Sequence, residues 1–300
     1  MHTKAKNWGT KMSKFTYNEV VSDGVLRENK ANIEISVGHS NFLLNCSTPK
    51  EFYSRIGGAY SEYCTRFDAM KPGKKILDVG VGRGDSSVFL AELGHNVHSV
   101  EPSPDLCEII CAAAGKFKLS ITVHQTVGEY INNIEEDDFD IVCFNASLHH
   151  CDDPLLALRN CYQKLRPGGR IYLLNETILK PYRSEKGYQL LLQKYPEKMG
   201  HYGGNEHAYH VGKYKSLVKQ VGFKNLAVTS ATIETDTLLS IEHKVSRKFP
   251  DGTRVWSPMK AFVAINWFFI RTLLLKLPIF SKLILHSSMV QVQFEAKKPE

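Results

Sequence analysis

The 300-residue sequence has no long uncharged apolar run, no C-x-x-C pair and no depletion of hydrophobic residues. With 43% hydrophobic and 23% charged residues and no tripeptide or heptad period, it is neither disordered, nor collagen-like, nor a coiled coil. The longest uncharged apolar stretch, residues 261–270, is about half the length that a membrane-spanning helix needs. The composition therefore predicts a globular protein, long enough for one large domain with a generous core or for two small domains.

Cysteine usage points to a reducing compartment. The seven cysteines are odd in number, and several lie inside apolar runs, where Cys acts as a small hydrophobe. The N-terminal segment MHTKAKNWGTKMSK is basic but lacks an apolar core, which argues against a secretory signal. We therefore expect a cytoplasmic protein, with peripheral membrane contact as an open alternative.

Acidic residues are almost missing from one segment. The chain carries 38 Lys and Arg against 31 Asp and Glu, a net charge of +7. Residues 243–282 contain eight basic residues and one acid, Asp251, so this segment alone accounts for 8 − 1 = +7. The eight are Lys244, Arg247, Lys248, Arg254, Lys260, Arg271, Lys276 and Lys282.

Short apolar runs alternate with helical signals along the middle of the chain. Such alternation is typical of an α/β sheet with parallel pairing and right-handed crossovers. The predicted strands cover residues 75–80, 96–101, 120–125, 140–145, 170–176, 226–232 and 290–296. The predicted helices cover residues 51–70, 85–93, 103–115, 154–165 and 213–221.

The most informative segment is KKILDVGVGRGDSS, in which a buried strand leads into three alternating glycines. Only glycine allows a ligand to approach the backbone this closely at the carboxyl end of a strand. A nucleotide-triphosphate loop needs a Lys that is missing here, and a dinucleotide fingerprint needs a small residue where Asp85 stands. What remains is the pattern D-x-G-x-G-x-G, followed by Glu101 at the end of the next strand.

Together with FDIV (residues 139–142) and LRPGG (residues 165–169), this pattern resembles the class I S-adenosylmethionine-dependent methyltransferases over residues 74–222. The resemblance implies a Rossmann-like, seven-stranded, mostly parallel sheet with helices on both faces. It also implies S-adenosylmethionine as cofactor, with Glu101 accepting hydrogen bonds from both ribose hydroxyls. Relatives often carry an acid that contacts adenine where this chain has Val127. The cofactor-binding residues implied are Asp78, Gly80, Gly82, Gly84, Glu101, Pro102, Thr126, Val127, Asn145 and Ser147.

The methyl acceptor is expected beside the ends of the fourth and fifth strands of the core. A hydroxyl acceptor needs a base, and His149 and His150 follow the fourth of these strands. The alternative is that one of them only caps a helix or packs in the core. The N-P-P-[YF] or D-P-P-[YF] motif of nucleic-acid amino methyltransferases is absent, as is a Pro-Cys nucleophile, so we expect no nucleic-acid partner.

A second group of polar residues lies in the insertion 177–211, where the family commonly builds a lid over the substrate. Glu206 and His207 are further candidates for the general base. Tyr202, Tyr209 and His210 are candidates for contact with the acceptor. The histidine spacing matches no standard zinc pattern, so we predict no metal, and a merely solvated loop remains an open alternative.

The basic segment contains AFVAINWFFIRTLLLKLPIFSKLIL, and Lys260 and Arg271 would lie about 20° apart on one helix. It is expected to form a lid over the acceptor site, which is the favoured interpretation. Residues 259–285 could instead touch a membrane through Trp267, Phe268 and Phe269, or form a homodimer surface.

These observations predict a cap at residues 1–70, a methyltransferase core at 71–233 plus 289–300, and a basic apolar insertion at 234–288. The expected reaction is methyl transfer to a hydroxyl of a sugar, polyketide-like or lipid-like molecule. Carbon or nitrogen methylation of a quinone-like molecule, and cofactor binding without catalysis, are the alternatives.

Overall fold

The computed structural model describes residues 12–13, 23, 25–27, 42–53, 67–179, 183–195, 206–230, 246–248, 254–259, 262, 266, 270, 273 and 292–300. The strands among them are β1 (Met12–Ser13), β2 (Lys75–Val79), β3 (Asn96–Val100), β4 (Ile121–His124), β5 (Phe139–Asn145), β6 (Leu165–Glu176), β7 (Lys224–Ser230), β8 (Ser246–Lys248), β9 (Arg254–Trp256) and β10 (Val292–Lys297). The α-helices with defined bounds are α1 (Pro49–Tyr53), α2 (Asp85–Glu92), α3 (Pro104–Phe117), α4 (Pro154–Lys164), α5 (Glu185–Lys194) and α6 (Val211–Val221).

Eight strands form one sheet in the order β1-β4-β3-β2-β5-β6-β10-β7. The pairs from β1 to β6 are parallel, whereas β10 is antiparallel to both of its neighbours. The predicted seven-stranded, mostly parallel sheet with flanking helices is therefore confirmed, and the two-residue β1 adds an edge strand. The strand order reverses at β2, and open α/β sheets bind their ligands beside the carboxyl ends of the strands at such a point.

The sheet is buried on both faces, as its near-continuous apolar strands require. On one face, α4, α6 and the 3-10 turn Gly128–Asn133 pack over the fully buried Phe139 and Phe144 of β5, and α6 contributes the fully buried Tyr214. On the other face, α2, α3 and residues 42–53 pack over Ile76, and Phe52 of α1 is fully buried there. This burial holds the strands rigidly, so the residues that follow their carboxyl ends have fixed positions.

Local sequence signals set the ends of the helices. Asp153 caps α4 by accepting hydrogen bonds from the backbone N–H groups of Leu155 and Leu156, and Pro154 fits the first turn. Gly222 ends α6 in the left-handed conformation with a φ of 111°. Strand β6 begins at Leu165, earlier than predicted, because LRPGG continues the strand with an irregular register against β5.

Several predicted regions lie partly outside the described residues. Of the predicted helix 51–70, residues 54–66 fall outside, and α1 covers only Pro49–Tyr53. Of the insertion 234–288, the described part contains the β8–β9 hairpin and isolated helical positions up to residue 273. The predicted domain boundaries therefore stay predictions. No helix in the described part of the chain is long and apolar enough to cross a membrane.

Candidate functional site

The glycine turn follows β2 and has the backbone conformation that requires glycine. The φ angles of Gly80, Gly82 and Gly84 are 70°, 56° and 90°. A Cβ on Gly80 would lie 2.6 Å from Ser147 Cβ, and one on Gly84 would lie 2.6 Å from Ile110 Cγ1. A Cβ on Gly82 would meet nothing within 4 Å, so the middle of the turn borders open space that a ligand could fill.

This difference predicts unequal costs for two alanine substitutions in the turn. Gly82→Ala should destabilise the cofactor-free protein by about 1 kcal/mol, since it adds only left-handed backbone strain. Gly80→Ala should cost about 3 kcal/mol, because the clash with Ser147 adds to the same strain. Denaturant unfolding of the two variants beside the parent chain measures the difference. Equal losses would contradict the close contact between Gly80 and Ser147.

Glu101 follows β3 and holds the glycine turn from the neighbouring strand. It is 4% exposed. Its Oε2 accepts a hydrogen bond of 2.8 Å from the backbone N–H of Gly82, and its Oε1 accepts one of 3.0 Å from that of Ser103. A carboxylate oxygen can accept more than one hydrogen bond, so these contacts leave Glu101 suited to bind a diol at the open side of Gly82.

Asp78 lies in β2, two residues before the first glycine of the turn. Its Oδ2 accepts hydrogen bonds from the hydroxyls of Ser86 (2.6 Å) and Ser87 (2.8 Å), and its Oδ1 accepts one from the Cys143 thiol (3.2 Å). Asp78 is almost fully buried, so it anchors the first turn of α2. A direct contact with the cofactor stays a prediction for this residue.

The residues predicted to surround adenine follow the same edge of the sheet. Pro102 comes directly after Glu101 and is half-buried. Thr126 is buried, and its backbone N–H donates to the carbonyl of His124. Val127 is half-buried and precedes the 3-10 turn Gly128–Asn133. These three positions follow the carboxyl ends of β3 and β4, and their contact with a nucleoside stays a prediction.

Asn145 and Ser147 join the end of β5 to its neighbours. The Ser147 hydroxyl donates to the carbonyl of Val79 at 2.5 Å, which ties this loop to the start of the glycine turn. Asn145 Oδ1 accepts a hydrogen bond of 2.6 Å from Asn175 Nδ2 on β6. The loop that carries the candidate base is therefore fixed directly beside the candidate cofactor site.

His149 forms a buried pair with Glu176 at the end of β6. Its Nδ1 lies 2.7 Å from Glu176 Oε2, and the two side chains are 4% and 0% exposed. Glu176 also accepts hydrogen bonds from the backbone N–H groups of Ser147, Leu148 and His149. With its Nδ1–H donating to Glu176, His149 presents Nε2 as an acceptor on the opposite side of the ring.

Glu206 lies on that opposite side, between the two histidines. Its Oε1 is 3.6 Å from His149 Nε2, and its Oε2 is 3.8 Å from His150 Nε2. The Thr177 hydroxyl lies 3.3 Å from His149 Nε2 and donates to Glu206 Oε1 at 3.4 Å. His150 and Glu206 are 16% and 12% exposed, so they lie nearer to the solvent than His149. Four titratable side chains thus form one continuous group, called the acid–histidine cluster below: His149, His150, Glu176 and Glu206.

Burial raises the pKa of the Glu206 carboxyl above its ordinary value. The charge of Glu176 acts in the same direction, whereas His149 and the hydrogen bond from Thr177 lower this pKa. A carboxyl whose pKa is raised in this way is a better proton acceptor than a solvated one, because its deprotonated form is a stronger base.

The other predicted acceptor-site residues lie around this cluster rather than in it. The His207 backbone N–H donates to the His149 carbonyl, but its ring packs against Tyr209 and its Nδ1 lies 3.3 Å from Gln189 Nε2. Burial lowers the pKa of His207. Tyr209 is 8% exposed and packs on Tyr214 in the core, because it pairs with Ile178 next to the sheet.

His210 and Tyr202 are the two remaining residues predicted to contact the acceptor. His210 precedes α6 at the N-cap position without a side-chain capping hydrogen bond. Tyr202 lies outside the described residues. Contacts of Tyr202, Tyr209 and His210 with an acceptor therefore stay predictions.

Glu176 is the one member of the acid–histidine cluster that is not among the candidates predicted from the sequence. Its signal was present, since it is a carboxylate directly after an apolar strand, at the same sheet edge as His149. What the sequence does not show is that this carboxylate turns toward the loop after β5.

Two groups of side chains in the described part of the chain have metal-ligating atoms within 4.8 Å of one another. One is His149, His150 and Glu206, inside the acid–histidine cluster. The other is His98, His124 and Glu136, in which His98 Nδ1 and His124 Nε2 are 3.0 Å apart and share a hydrogen bond. Burial lowers the pKa of His124 to about 4, so this second pair is held neutral. The expectation that no metal binds stays a prediction.

Part of the chain matches a known domain family. Residues 77–173 match the family model described as a methyltransferase domain. A ubiquinone biosynthesis O-methyltransferase of Xanthomonas campestris pv. campestris is 29% identical over 133 residues, which cover 44% of this chain and 56% of the relative. The protein of the same description from Pseudomonas aeruginosa is 31% identical over 105 residues, which cover 34% of this chain and 44% of the relative. The aligned part therefore spans about half the length of these curated relatives.

Solved structures share the fold at lower identity. A phosphoethanolamine N-methyltransferase 2 of Haemonchus contortus, in complex with phosphomonomethylethanolamine and S-adenosylhomocysteine, is 18% identical with a TM-score of 0.58, covering 95% of this chain and 62% of that one. A complex between the Haloferax volcanii Trm112 methyltransferase activator and a methyltransferase matches with 16% identity and a TM-score of 0.53, covering 91% and 98%. These two likenesses support the fold.

Proposed function

Because this chain contains a class I S-adenosylmethionine-dependent methyltransferase domain, we propose that it transfers the methyl group of S-adenosylmethionine to a hydroxyl of a small, lipid-like molecule. The match to the methyltransferase domain and the shared fold confirm the predicted family and fold class at the level of the domain. The solved structures with bound S-adenosylmethionine or S-adenosylhomocysteine support the predicted cofactor. The acceptor and the reacting atom are the proposed part.

The residues at the glycine turn fit the cofactor. Open space beside Gly82 allows close approach to the backbone, and the buried Glu101 carboxylate stands next to that space. Glu101 would hold the ribose hydroxyls, Gly80 and Gly82 would line the methionine end, and Pro102, Thr126 and Val127 would border adenine. S-adenosylmethionine supplies a methyl group that is already activated on sulfur.

A hydroxyl acceptor must lose its proton during transfer, and the acid–histidine cluster is the group that can accept it. Glu206 and His150 lie at its accessible side. His149 lies behind Glu206 with its Nδ1 bound to Glu176, and its Nε2 is 3.6 Å from Glu206 Oε1. General-base assistance of this kind contributes about 10²–10⁴-fold to a rate.

The single observation that carries the proposal is the placement of this cluster beside the glycine turn. The loop after β5 bears both histidines. The Ser147 hydroxyl in this loop donates a hydrogen bond to the carbonyl of Val79, which directly precedes Gly80. A neutral amine can attack through its lone pair before it loses a proton, whereas a hydroxyl needs a base to become a good nucleophile, so the arrangement favours a hydroxyl over an amine. The curated relatives are named as O-methyltransferases of ubiquinone biosynthesis, which supports oxygen as the reacting atom and an apolar acceptor.

The test is transfer of label from methyl-labelled S-adenosylmethionine to a panel of acceptors, with products identified by mass spectrometry. The panel contains phenols with apolar tails, water-soluble phenols, sugars and primary amines. We expect methyl ethers of the apolar phenols as the main products. N-methylated amines or ring-methylated products would contradict the hydroxyl assignment. Cofactor binding without any product over the whole panel would favour the non-catalytic alternative.

A further inference from the structure

The described helical positions between residues 258 and 273 expose a row of large apolar side chains. Met259, Phe262, Ile270 and Leu273 are 76%, 68%, 49% and 63% exposed. At 3.6 residues per turn, these positions and Asn266 fall within an arc of about 80° around a helix axis. We call these five residues the apolar stripe.

The one polar member of the apolar stripe is turned back onto the helix. Asn266 Nδ2 donates a hydrogen bond of 2.8 Å to the carbonyl of Phe262, four residues earlier. Part of its polar surface is therefore satisfied by the backbone. A row of exposed apolar side chains of this kind marks a contact surface more often than an ordinary solvated face.

The exposure of these side chains weighs against the favoured interpretation of the segment as a lid. A lid that lines an acceptor pocket would direct its large apolar side chains toward the protein, whereas Met259, Phe262 and Leu273 face the solvent. A contact with a partner or a surface outside this chain explains the exposure of these side chains better.

The charge of the surrounding sequence indicates what that contact is. Residues 252–288 contain no Asp or Glu, and residues 243–282 have eight basic residues against one acid. Apolar side chains combined with an excess of cations are the two features that bind a helix to an anionic bilayer surface. A second copy of this chain would bring the same excess of positive charge, which disfavours a homodimer through this segment.

We propose that the apolar stripe binds the surface of a membrane rich in anionic lipids. Phe262 and Leu273 enter the boundary between headgroups and acyl chains, and the basic residues of the segment are attracted to the headgroups. Each Lys or Arg near such a surface contributes about fivefold to binding at low salt. This surface contact needs neither cofactor nor acceptor, so it stands or falls separately from the methyl-transfer proposal.

The test is flotation of the purified full chain with phosphatidylcholine vesicles that contain or lack phosphatidylglycerol. We expect binding to the anionic vesicles that weakens as salt is raised. Phe262→Glu/Leu273→Glu should weaken binding by about a hundredfold, since each exposed side chain loses at least about tenfold of hydrophobic partitioning. The matched control is Leu26→Glu/Leu44→Glu, which changes the charge equally at side chains that are 53% and 75% exposed elsewhere. The control should float like the parent chain.

Three results would overturn the proposal. The first is no flotation of the parent chain with anionic vesicles, and the second is equal binding of the stripe variant and its control. The third is a vesicle-free dimer of the parent chain that the stripe variant alone converts to a monomer. That last result would assign the apolar stripe to a second copy of the chain.

Discussion

Glu101→Ala is expected to weaken binding of S-adenosylmethionine by about a hundredfold or more. The buried carboxylate would hold two ribose hydroxyls, and each hydrogen bond to a charged group contributes about 1.5–3 kcal/mol. The substitution also removes the acceptor of the Gly82 and Ser103 backbone N–H groups, so the glycine turn loses its fixed position. Isothermal titration calorimetry with cofactor measures the loss directly.

Two further variants separate lost binding from lost folding. Glu108→Ala removes an exposed carboxylate from α3, the helix that follows Glu101, and should leave affinity unchanged. Glu101→Gln keeps one acceptor oxygen and the side-chain volume, so its thermal unfolding temperature should fall less than that of Glu101→Ala while affinity still falls. Parent-like affinity in folded Glu101→Ala would refute the ribose assignment.

The glycine turn and Glu101 could be predicted from the sequence because their geometry is local. A strand, three glycines and a helix follow one another without interruption, and Glu101 closes the next strand. Parallel strands end at one edge of the sheet, so neighbouring strands bring these residues together whatever the rest of the chain does.

The acid–histidine cluster could be predicted only in part, because its contacts join distant segments. His149 and Glu176 are 27 residues apart in the sequence, and Glu206 is farther still. The residue types of His149, His150 and Glu206 marked them as candidates. That the Glu176 side chain points toward the loop after β5 is visible only in the folded structure. The same limit applies to His207, whose ring packs on Tyr209.

The position of Tyr209 is set by its backbone bridge to Ile178 and could not be predicted from its residue type. A tyrosine in a polar loop is a reasonable candidate for lining an acceptor pocket. The bridge between Ile178 and Tyr209 instead brings this side chain against Tyr214, and burial raises the pKa of its phenol. Nothing in the local sequence distinguishes the two outcomes, because the bridge forms with a residue 31 positions earlier, 209 − 178.

Glu206→Gln is expected to lower kcat for a hydroxyl acceptor by about 10²–10⁴-fold. The amide keeps the shape of the side chain and its contact with Thr177, but it cannot accept a proton at neutral pH. Binding of S-adenosylmethionine should be unchanged, because Glu206 contacts His149, His150 and Thr177 rather than the glycine turn. Single-turnover transfer and cofactor titration separate the two effects. Glu185→Gln, in the first turn of α5, serves as the control and should keep the parent rate.

The pH dependence of the rate distinguishes a base from a merely structural carboxylate. Glu206 accepts a proton only when it is deprotonated, so the parent rate should rise with pH through the pKa of this group. Burial raises that pKa, so the rise should lie at higher pH than for a solvated carboxyl. Glu206→Gln should lose this rise and keep only a low rate. Because the amide resembles the protonated carboxyl that burial favours, the variant should unfold at no lower temperature than the parent chain above that pKa. If Glu206→Gln kept both the parent rate and its rise with pH while His150→Gln lost them, the base would be His150.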